Sequence, residues 1–355
     1  MNGRSKSWEL TLASPDDAPG IKKVFDDGDF KGGISVKFMR EPDPYQSFQN
    51  EGEHIVLPIV KDIASGEILG TGGCVIRKEY INGTLQNTAY LTGLKILRSH
   101  QRRLTCIVPA YQLIGEQTAK YEPFYYTTIL KSNEIAIKLL EKRRKGMPAY
   151  TYLGDYTVFC LGKGKKTNTK GYRFERGHSG DVAAFYQKHL PNYQLAPANE
   201  RMYGLADDDF YCLKSPDGEI LAACAIWNQQ SYKQYVISGY GGIYKPLSHV
   251  PTGWFGYPTM PKAGRPANYA SIAALIVPQE NQHIARLFLQ LVLHESRQYD
   301  FILLGLFENH PLMCTAKKFK HIKYQSRLYA VNYKEIADRC GVLGGKPIML
   351  EVGLL

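Results

Sequence analysis

The same order of predicted secondary structure elements occurs twice along this chain, and that repetition limits the folds open to it. The first half begins with a strand at Trp8–Leu12 and a helix, continues through several β-segments, and ends in a strand–helix–strand–helix–strand series. The second half begins at GYRFERG, continues with the helix DVAAFYQKHL, and ends in a similar series. Short segments also match, such as EILGTGGCVI and EILAACAIW. The pattern predicts a duplicated α/β (α+β) unit, each copy a mixed, mostly antiparallel sheet flanked by helices.

A polar segment separates the two halves. Residues 163–171 read KGKKTNTKG, with glycines and no large apolar side chain, which is typical of a flexible linker. A chain of 355 residues also exceeds what one ordinary hydrophobic core serves. We therefore predict domains at residues 1–162 and 172–355. The alternative is a pair of unrelated α/β domains that share only turn chemistry.

The net charge and the apolar content limit the cellular location and the binding partners that we expect for this protein. No stretch approaches the roughly 18 apolar residues of a membrane span, and the N-terminal sequence lacks the apolar centre of a secretory signal. We expect a cytoplasmic protein without a membrane partner. The seven cysteines show no metal-ligand spacing, so neither a disulfide scaffold nor a metal site is predicted. The net charge of +11 suits nucleic acid, an anionic surface or a phosphate-bearing cofactor.

Two strand–loop–helix segments of the first half carry recognisable chemistry. The apolar strand Tyr90–Leu97 leads into the basic loop Gln101–Cys106 and then a helix, and the strand PFYYTTIL leads into Asn133 and the helix NEIAIKLLEK. These segments resemble the signature of the GNAT acetyltransferases, a strand followed by Arg/Gln-x-x-Gly-x-Gly/Ala and a helix. The Arg40–Asp43 element, REPD, resembles one GNAT subgroup.

The resemblance covers most of residues 5–162 and, more weakly, residues 172–334. It implies two tandem GNAT-like domains and acetyl-CoA as the cofactor of the first. A pyrophosphate requires several backbone N–H groups at the positive end of a helix. Asn133 also fits a simple helix N-cap. The cofactor-binding residues that the resemblance implies are Leu94, Lys95, Ile96, Gln101, Arg102, Arg103, Leu104, Thr105, Cys106 and Asn133.

The phosphate loop departs from the family pattern. Leu104 and Cys106 occupy positions where glycines are expected, and the Leu104 side chain falls where a phosphate would approach. Pro109 lies early in the following helix, where proline is tolerated. Arg102 and Arg103 still supply positive charge. The loop is therefore either a rearranged working cradle or a decayed one.

The sequence indicates the catalytic residues less clearly than the cofactor-binding residues. The family's usual tyrosine, proposed to protonate the departing thiolate, falls at Leu140. Tyr111, Tyr125 and Tyr126 are possible substitutes, of which Tyr111 is predicted, against the alternative that each lies in the core or at the rim. Acetyl transfer also requires the removal of a proton from the amine. Glu41 is the predicted base by family analogy, with Asp43 and Glu53 nearby. Their other interpretation is a solvated loop.

The second half retains less of the pattern. The Arg/Gln position falls on Asn281 or Gln282, no glycine follows, and Arg286 is the one basic residue nearby. We expect a structural or substrate-shaping role, with the insert HVPTGWFGYPTMPKAGRP as a lid or one wall of a cleft. Glu308-Asn309-His310 resembles the second motif, and His310 is interpreted as a surface histidine.

Three functions follow as hypotheses. The first is an acyltransferase that moves an acetyl group from acetyl-CoA to the primary amine of a small molecule or peptide. The second is an aminoacyl-tRNA-dependent transferase, which the net charge favours slightly. The third is a non-catalytic protein that binds CoA or a partner, consistent with the missing glycines and tyrosine. The sequence leaves the acceptor and the oligomeric state open.

Overall fold

The computed structural model describes residues 7–101, 104–142, 144–333 and 343–355. The strands of the first half are β1 Trp8–Leu12, β2 Ile34–Met39, β3 His54–Val56, β4 Pro58–Asp62, β5 Ile68–Ile81, β6 Thr84–Ile96, β7 Phe124–Leu130 and β8 Ala149–Leu161. Its helices are α1 Ala18–Asp26, α2 Pro44–Gln49, α3 Ile107–Thr118 and α4 Glu134–Glu141.

The second half repeats this order with a longer connection before its parallel strands. Its strands are β9 Arg173–Arg176, β10 Ala196–Pro197, β11 Phe210–Lys214, β12 Ile220–Trp227, β13 Gln234–Tyr240, β14 Tyr269–Ile276, β15 Phe301–Phe307 and β16 His321–Asn332. Its helices are α5 Gly180–His189, α6 Tyr244–Leu247, α7 Gln282–Glu295 and α8 Met313–Ala316. No helix in the described ranges has both the length and the apolar character to cross a membrane.

A 14-stranded sheet runs through both halves. Its strand order is β1-β4-β5-β6-β7-β16-β8-β15-β14-β12-β11-β9, and β3 and β10 pair with β5. Among the described strands, the parallel pairs are β6 with β7 and β14 with β15. The prediction of a mixed, mostly antiparallel sheet is therefore confirmed.

The two halves exchange their last strands. The second-half strand β16 lies between β7 and β8 and pairs antiparallel with both, while β8 pairs antiparallel with β15. The exchange reaches the cores as well: Tyr329 and Val331 pack in the first-half core, and Phe159 and Leu161 pack in the second-half core. Each half therefore depends on the other for a complete sheet.

The segment between the halves lies against the protein. Gly164 N donates to Leu293 O over 3.2 Å, and Gln290 Nε2 donates to Lys165 O over 2.9 Å, so the segment follows α7. The sheet is continuous across the halves, and the domain boundaries at residues 163–171 remain a prediction.

A second sheet joins the halves on one face. It consists of β2 from the first half and β13 from the second, antiparallel, with Phe38 opposite Tyr235. The two rings meet edge to face, with centroids 4.9 Å apart. Gln234 strengthens the junction, because its side chain accepts from Glu41 N over 3.1 Å and donates to Glu41 O over 3.0 Å. Phe38, Met39 and Tyr235 of this small sheet line the cavity described next.

Candidate active site

A gap opens in the first half where β6 and β7 separate. The strands pair in parallel from Thr88 to Tyr90 and not beyond, although both continue. Beside the gap, the pairing of β5 with β6 shifts register, and Gly93 in the resulting bulge has φ +66°. A bulge leaves backbone groups outside the ladder, and φ in this range favours glycine. Free backbone groups beside a gap suit a ligand that carries amides.

A cavity of about 290 Å³ occupies this gap. From the first half its lining includes Leu94, Lys95, Ile96, Cys106, Ile107, Ala110, Tyr111, Thr128, Asn133, Ala136, Leu140 and Tyr150. From the second half it includes Lys233, Tyr235, Tyr324, Ser326, Val352 and Leu355. The cavity therefore continues from the first-half gap into the junction between the halves.

The N-terminal end of α3 faces this cavity. A short 3-10 turn, Leu104–Cys106, leads into α3, and Cys106 and Ile107 line the cavity. Pro109 is the third helical residue, where its missing N–H leaves no intrahelical bond unmade. The positive end of the helix dipole therefore points toward the cavity and favours an anionic group there.

The matching gap of the second half holds part of the chain itself. There β14 and β15 pair in parallel from Tyr269 to Ser271, and β14 bulges at Ala274, whose φ is +48°. Ala274 N donates to Glu351 Oε1 over 2.9 Å. Residues 348–354 are buried here against both strands. The backbone group that the bulge frees thus has an internal partner.

Solved structures share this architecture. Saccharomyces cerevisiae N-myristoyltransferase with bound myristoyl-CoA matches with a TM-score of 0.55 and 10% identity, over 93% of this chain and 80% of that chain. A GCN5-related N-acetyltransferase from Sphaerobacter thermophilus matches with a TM-score of 0.55 and 13% identity, over 91% of this chain and 95% of that chain. The chain has the GNAT fold.

A third GNAT structure agrees. The GCN5-related glucosamine N-acetyltransferase region of a fungal multi-domain GH3 β-N-acetylglucosaminidase matches with a TM-score of 0.63 and 10% identity. That match covers 93% of this chain and 39% of the fungal chain. No family model matches the sequence, and no curated protein matches it. At these identities the likeness establishes the fold, which confirms the predicted fold class.

Several residues of the predicted GNAT cofactor set line the cavity. Leu94, Lys95, Ile96, Cys106 and Asn133 do so, whereas Gln101 and Thr105 are exposed and lie outside the lining. Arg102, Arg103 and the Leu104 side chain fall outside the described residues, so their predicted role stays a prediction. Asn133 also caps α4, because its Oδ1 accepts from Ala136 N over 3.2 Å. Its position is compatible with both interpretations of that residue.

Tyr111 lies in the cavity wall with a phenolic partner that sequence reasoning missed. Its hydroxyl is 2.6 Å from the hydroxyl of Tyr150, the second residue of β8, and both residues line the cavity. Burial raises the pKa of Tyr111 to about 12. A thiol has a pKa of about 8.5, so transfer of the Tyr111 proton to a thiolate would be unfavourable. This phenol is better suited to donate a hydrogen bond to a departing sulfur than to give up its proton.

The predicted base lies apart from the cavity lining. The Glu41 carboxylate is partly exposed and pairs with Lys22 over 3.1 Å. Asp43 caps α2 by accepting from Gln46 N over 3.0 Å, and Glu53 is exposed. Among the described lining residues there is no aspartate or glutamate. A base role for Glu41 remains a prediction that the lining does not support.

Lys95 is a lining residue of the cavity and carries a titratable amine. Its Nζ donates to the carbonyl oxygens of Phe25 and Gly28 over 2.6 and 3.3 Å. Burial lowers the pKa of Lys95 to about 8. In the described part of the chain no carboxylate lies within ion-pair distance of this amine. The pattern of strand residues does not reveal such an environment, so Lys95 was predicted only as a member of the cofactor-binding set.

A buried charged cluster ties the two halves together beside the cavity. Glu51 Oε1 accepts from Arg40 and from Lys233, each over 2.9 Å. Lys233 Nζ also donates to Leu355 O over 2.6 Å. Burial alone would raise the pKa of Glu51, but the two cations offset this and lower it. Glu51 and Lys233 are too far apart in the chain for a sequence pattern to connect them, so the sequence did not predict this cluster.

The second half differs from two sequence expectations. His310 is buried rather than on the surface, its ring stacks on Tyr193, and burial lowers its pKa to about 4. The helix predicted after Asn309 is the four-residue α8, which has Leu312 at its N-cap. Asn309 therefore does not cap a helix as Asn133 does. Asn281 does cap one, since its Oδ1 accepts from His283 N and Ile284 N at the start of α7.

Proposed function

We propose that this protein transfers an acyl group, acetyl from acetyl-CoA, to the primary amine of a small molecule or peptide. The observation that carries the proposal is the contrast between the two gaps. The first-half gap is open and adjoins the positive end of α3, whereas the second-half gap holds Glu351 and its neighbours. The yeast N-myristoyltransferase of the same fold has an acyl-CoA thioester bound, and we propose a CoA thioester here.

The cofactor arrangement follows from the cavity walls. The main chain of Leu94–Ile96 would bond the amide arm of the cofactor, and Asn133 would lie beside it. The N–H groups at the start of α3, with Arg102 and Arg103, would bind the pyrophosphate. In the reaction, the amine nitrogen forms a bond with the thioester carbonyl carbon and the carbon–sulfur bond breaks. The proton that the nitrogen loses as the amide forms neutralises the departing thiolate, so CoA leaves as the free thiol.

Two cavity residues suit the proton transfers. The acceptor ammonium has to lose a proton before it attacks. Because Lys95 lines the cavity and its amine has a pKa of about 8, we propose it as the proton acceptor. Tyr111 would donate a hydrogen bond to the sulfur as negative charge develops there.

A cavity-filling substitution with a matched control tests the cofactor site. Ala136 lines the cavity from α4, whereas its neighbour Ile135 is 83% exposed. Ala136→Trp places an indole in the gap, and we expect acetyl-CoA affinity to fall at least about tenfold in calorimetry, or about 1.4 kcal/mol. Ile135→Trp adds the same ring on the solvent side and should leave affinity unchanged. Equal affinities for the two folded variants would place the cofactor elsewhere.

Turnover then separates the function classes. An acyltransferase releases free thiol from acetyl-CoA only when an acceptor amine is present. A non-catalytic CoA-binding protein gains thermal stability from acetyl-CoA without releasing thiol. A tRNA-dependent transferase instead retains tRNA with steep salt dependence. Either of the last two results would overturn the proposed reaction.

A further inference from the structure

The connection between β13 and β14 carries a concentration of exposed apolar side chains, here called the insert patch. Trp254 is 88% exposed, Ile243 71% and Phe255 61%. The insert patch comprises Ile243, Leu247, Val250, Trp254, Phe255 and Tyr257. Large apolar side chains scattered singly on a surface are ordinary, but several within one short segment indicate a contact surface.

The segment that carries the insert patch has its own local structure. Trp254 N donates to Pro251 O over 3.0 Å, and Tyr257 N donates to Thr252 O over 3.2 Å. Gly256 completes the turn with φ +77°. These bonds fix the backbone while Trp254 and Phe255 stay in solvent. The exposure therefore belongs to a folded element whose apolar side chains do not pack inward.

The surroundings of the insert patch are basic. Residues 220–279 contain no aspartate or glutamate, while Lys245, Lys262 and Arg265 lie within them. Lys320 also reaches the insert: its Nζ donates to Phe255 O over 2.7 Å. Two acidic residues lie near the base of the insert. The main-chain oxygen of Asp300 accepts from Thr259 N and its carboxylate accepts from Asn268 N, while the carboxylate of Asp29 accepts from Ser238 Oγ beside the start of the insert. The positive charges of the insert and Lys320 outnumber these carboxylates, so its charge favours an anionic partner.

We infer that the insert patch docks the protein on an anionic lipid surface. Tryptophan and tyrosine prefer the boundary between water and hydrocarbon, because their rings are apolar and their polar groups stay hydrated. Neighbouring lysines and arginines add attraction to anionic headgroups. Protein interfaces, in contrast, tend to be depleted of lysine. A peripheral contact of this kind requires no membrane-spanning segment.

The segment that carries the insert patch begins beside a first-half loop that reaches the cavity lining. Gly241 N donates to Gly33 O over 2.8 Å, and the Tyr244 ring lies against Gly33. Phe30, close to Gly33 in the chain, lines the cavity. Docking would therefore bring the side of the cavity that Phe30 lines toward the lipid surface. The docking itself does not depend on the reaction that the cavity supports.

Vesicle binding tests the inference. The full chain should sediment with phosphatidylcholine vesicles that contain about 30% phosphatidylserine and much less with phosphatidylcholine alone, and added salt should weaken the binding. The fluorescence of Trp254 should shift to the blue on binding, because its ring leaves water. Trp254→Ala with Phe255→Ala should weaken binding at least about tenfold.

A matched variant separates the insert patch from general surface hydrophobicity. Ile63 and Leu85 are exposed apolar residues of the first half, and replacing both with alanine should leave vesicle binding unchanged. Because Trp254 is almost fully exposed, its removal should also leave the melting temperature unchanged. The inference is overturned if the full chain ignores anionic vesicles, or if the two double variants bind alike. It is also overturned if size-exclusion chromatography shows that the insert patch instead joins two copies of the chain.

Discussion

The buried carboxyl of Glu351 gives a pH-dependent stability that can be measured directly. Its Oε1 accepts from Ala274 N, and burial raises its pKa from 4.5 to about 7. A raised carboxyl pKa means that the folded state binds the proton more tightly than the unfolded state does. Glu351 therefore contributes full stability below about pH 4.5, and that contribution is lost as the pH rises toward about 7.

The size of the effect follows from the pKa difference. Each unit of pKa corresponds to about 1.4 kcal/mol, so ionisation of Glu351 should cost roughly 3 kcal/mol above pH 7. Glu351→Gln cannot ionise, and its amide oxygen can still accept from Ala274 N. The variant should therefore match the natural chain in acid and exceed its stability at alkaline pH.

Guanidinium unfolding at two pH values measures this difference. The unfolding free energy of Glu351→Gln, minus that of the natural chain, should grow by about 2.5 kcal/mol between about pH 5 and pH 8. Subtraction removes the contribution of His310 and other groups common to both chains. The exposed Glu219, changed to glutamine, should move the difference by less than about 0.5 kcal/mol. A difference that stays flat for Glu351→Gln would refute the assignment of a buried, protonated carboxyl.

Three further predictions concern the first-half cavity. Lys95→Arg keeps the positive charge, but arginine cannot titrate near neutral pH. We therefore expect kcat to fall at least about tenfold and the rise of kcat with pH to disappear. Calorimetry should find acetyl-CoA affinity unchanged. Changing Arg102 and Arg103 together to alanine should weaken acetyl-CoA binding by about 1.5–3 kcal/mol for each charged hydrogen bond to phosphate that is removed. Unchanged affinity would show that the loop is not part of the binding site. Leu104→Gly should leave affinity unchanged or lower it, at about 0.5–1 kcal/mol of added chain entropy; a tenfold or greater tightening in titration would show that Leu104 obstructs the phosphates.

The parts of the fold that sequence predicted are those encoded by local pattern. Alternating apolar residues and turn signals marked the strands, and Asn133 marked the start of α4, where its side chain does cap the helix. The strand before the basic loop is β6, and the helix after that loop is α3. Each of these features depends on residues that are close in the chain.

The parts that sequence missed depend on distant residues. The strand exchange leaves no local trace, because β8 and β16 are ordinary half-buried strands whichever neighbour they pair with. Glu51 and Lys233 lie on opposite halves, and either alone would be interpreted as a surface charge. Glu351 and Ala274 are likewise far apart in the chain, with α7, β15, α8 and β16 between them. Only the folded chain brings these partners together.

The exchange of β8 and β16 has a consequence for how the protein is made. During synthesis β7 and β8 leave the ribosome well before β16, and at about 5–20 residues per second the delay approaches ten seconds or more. Throughout that interval the β7 edge has no permanent neighbour, and an unpaired edge invites association. β8 is the nearest strand able to cover it, and β16 must later enter between the two. Maturation of the first half therefore waits for the synthesis of β16, and this chain should need protection from aggregation until then.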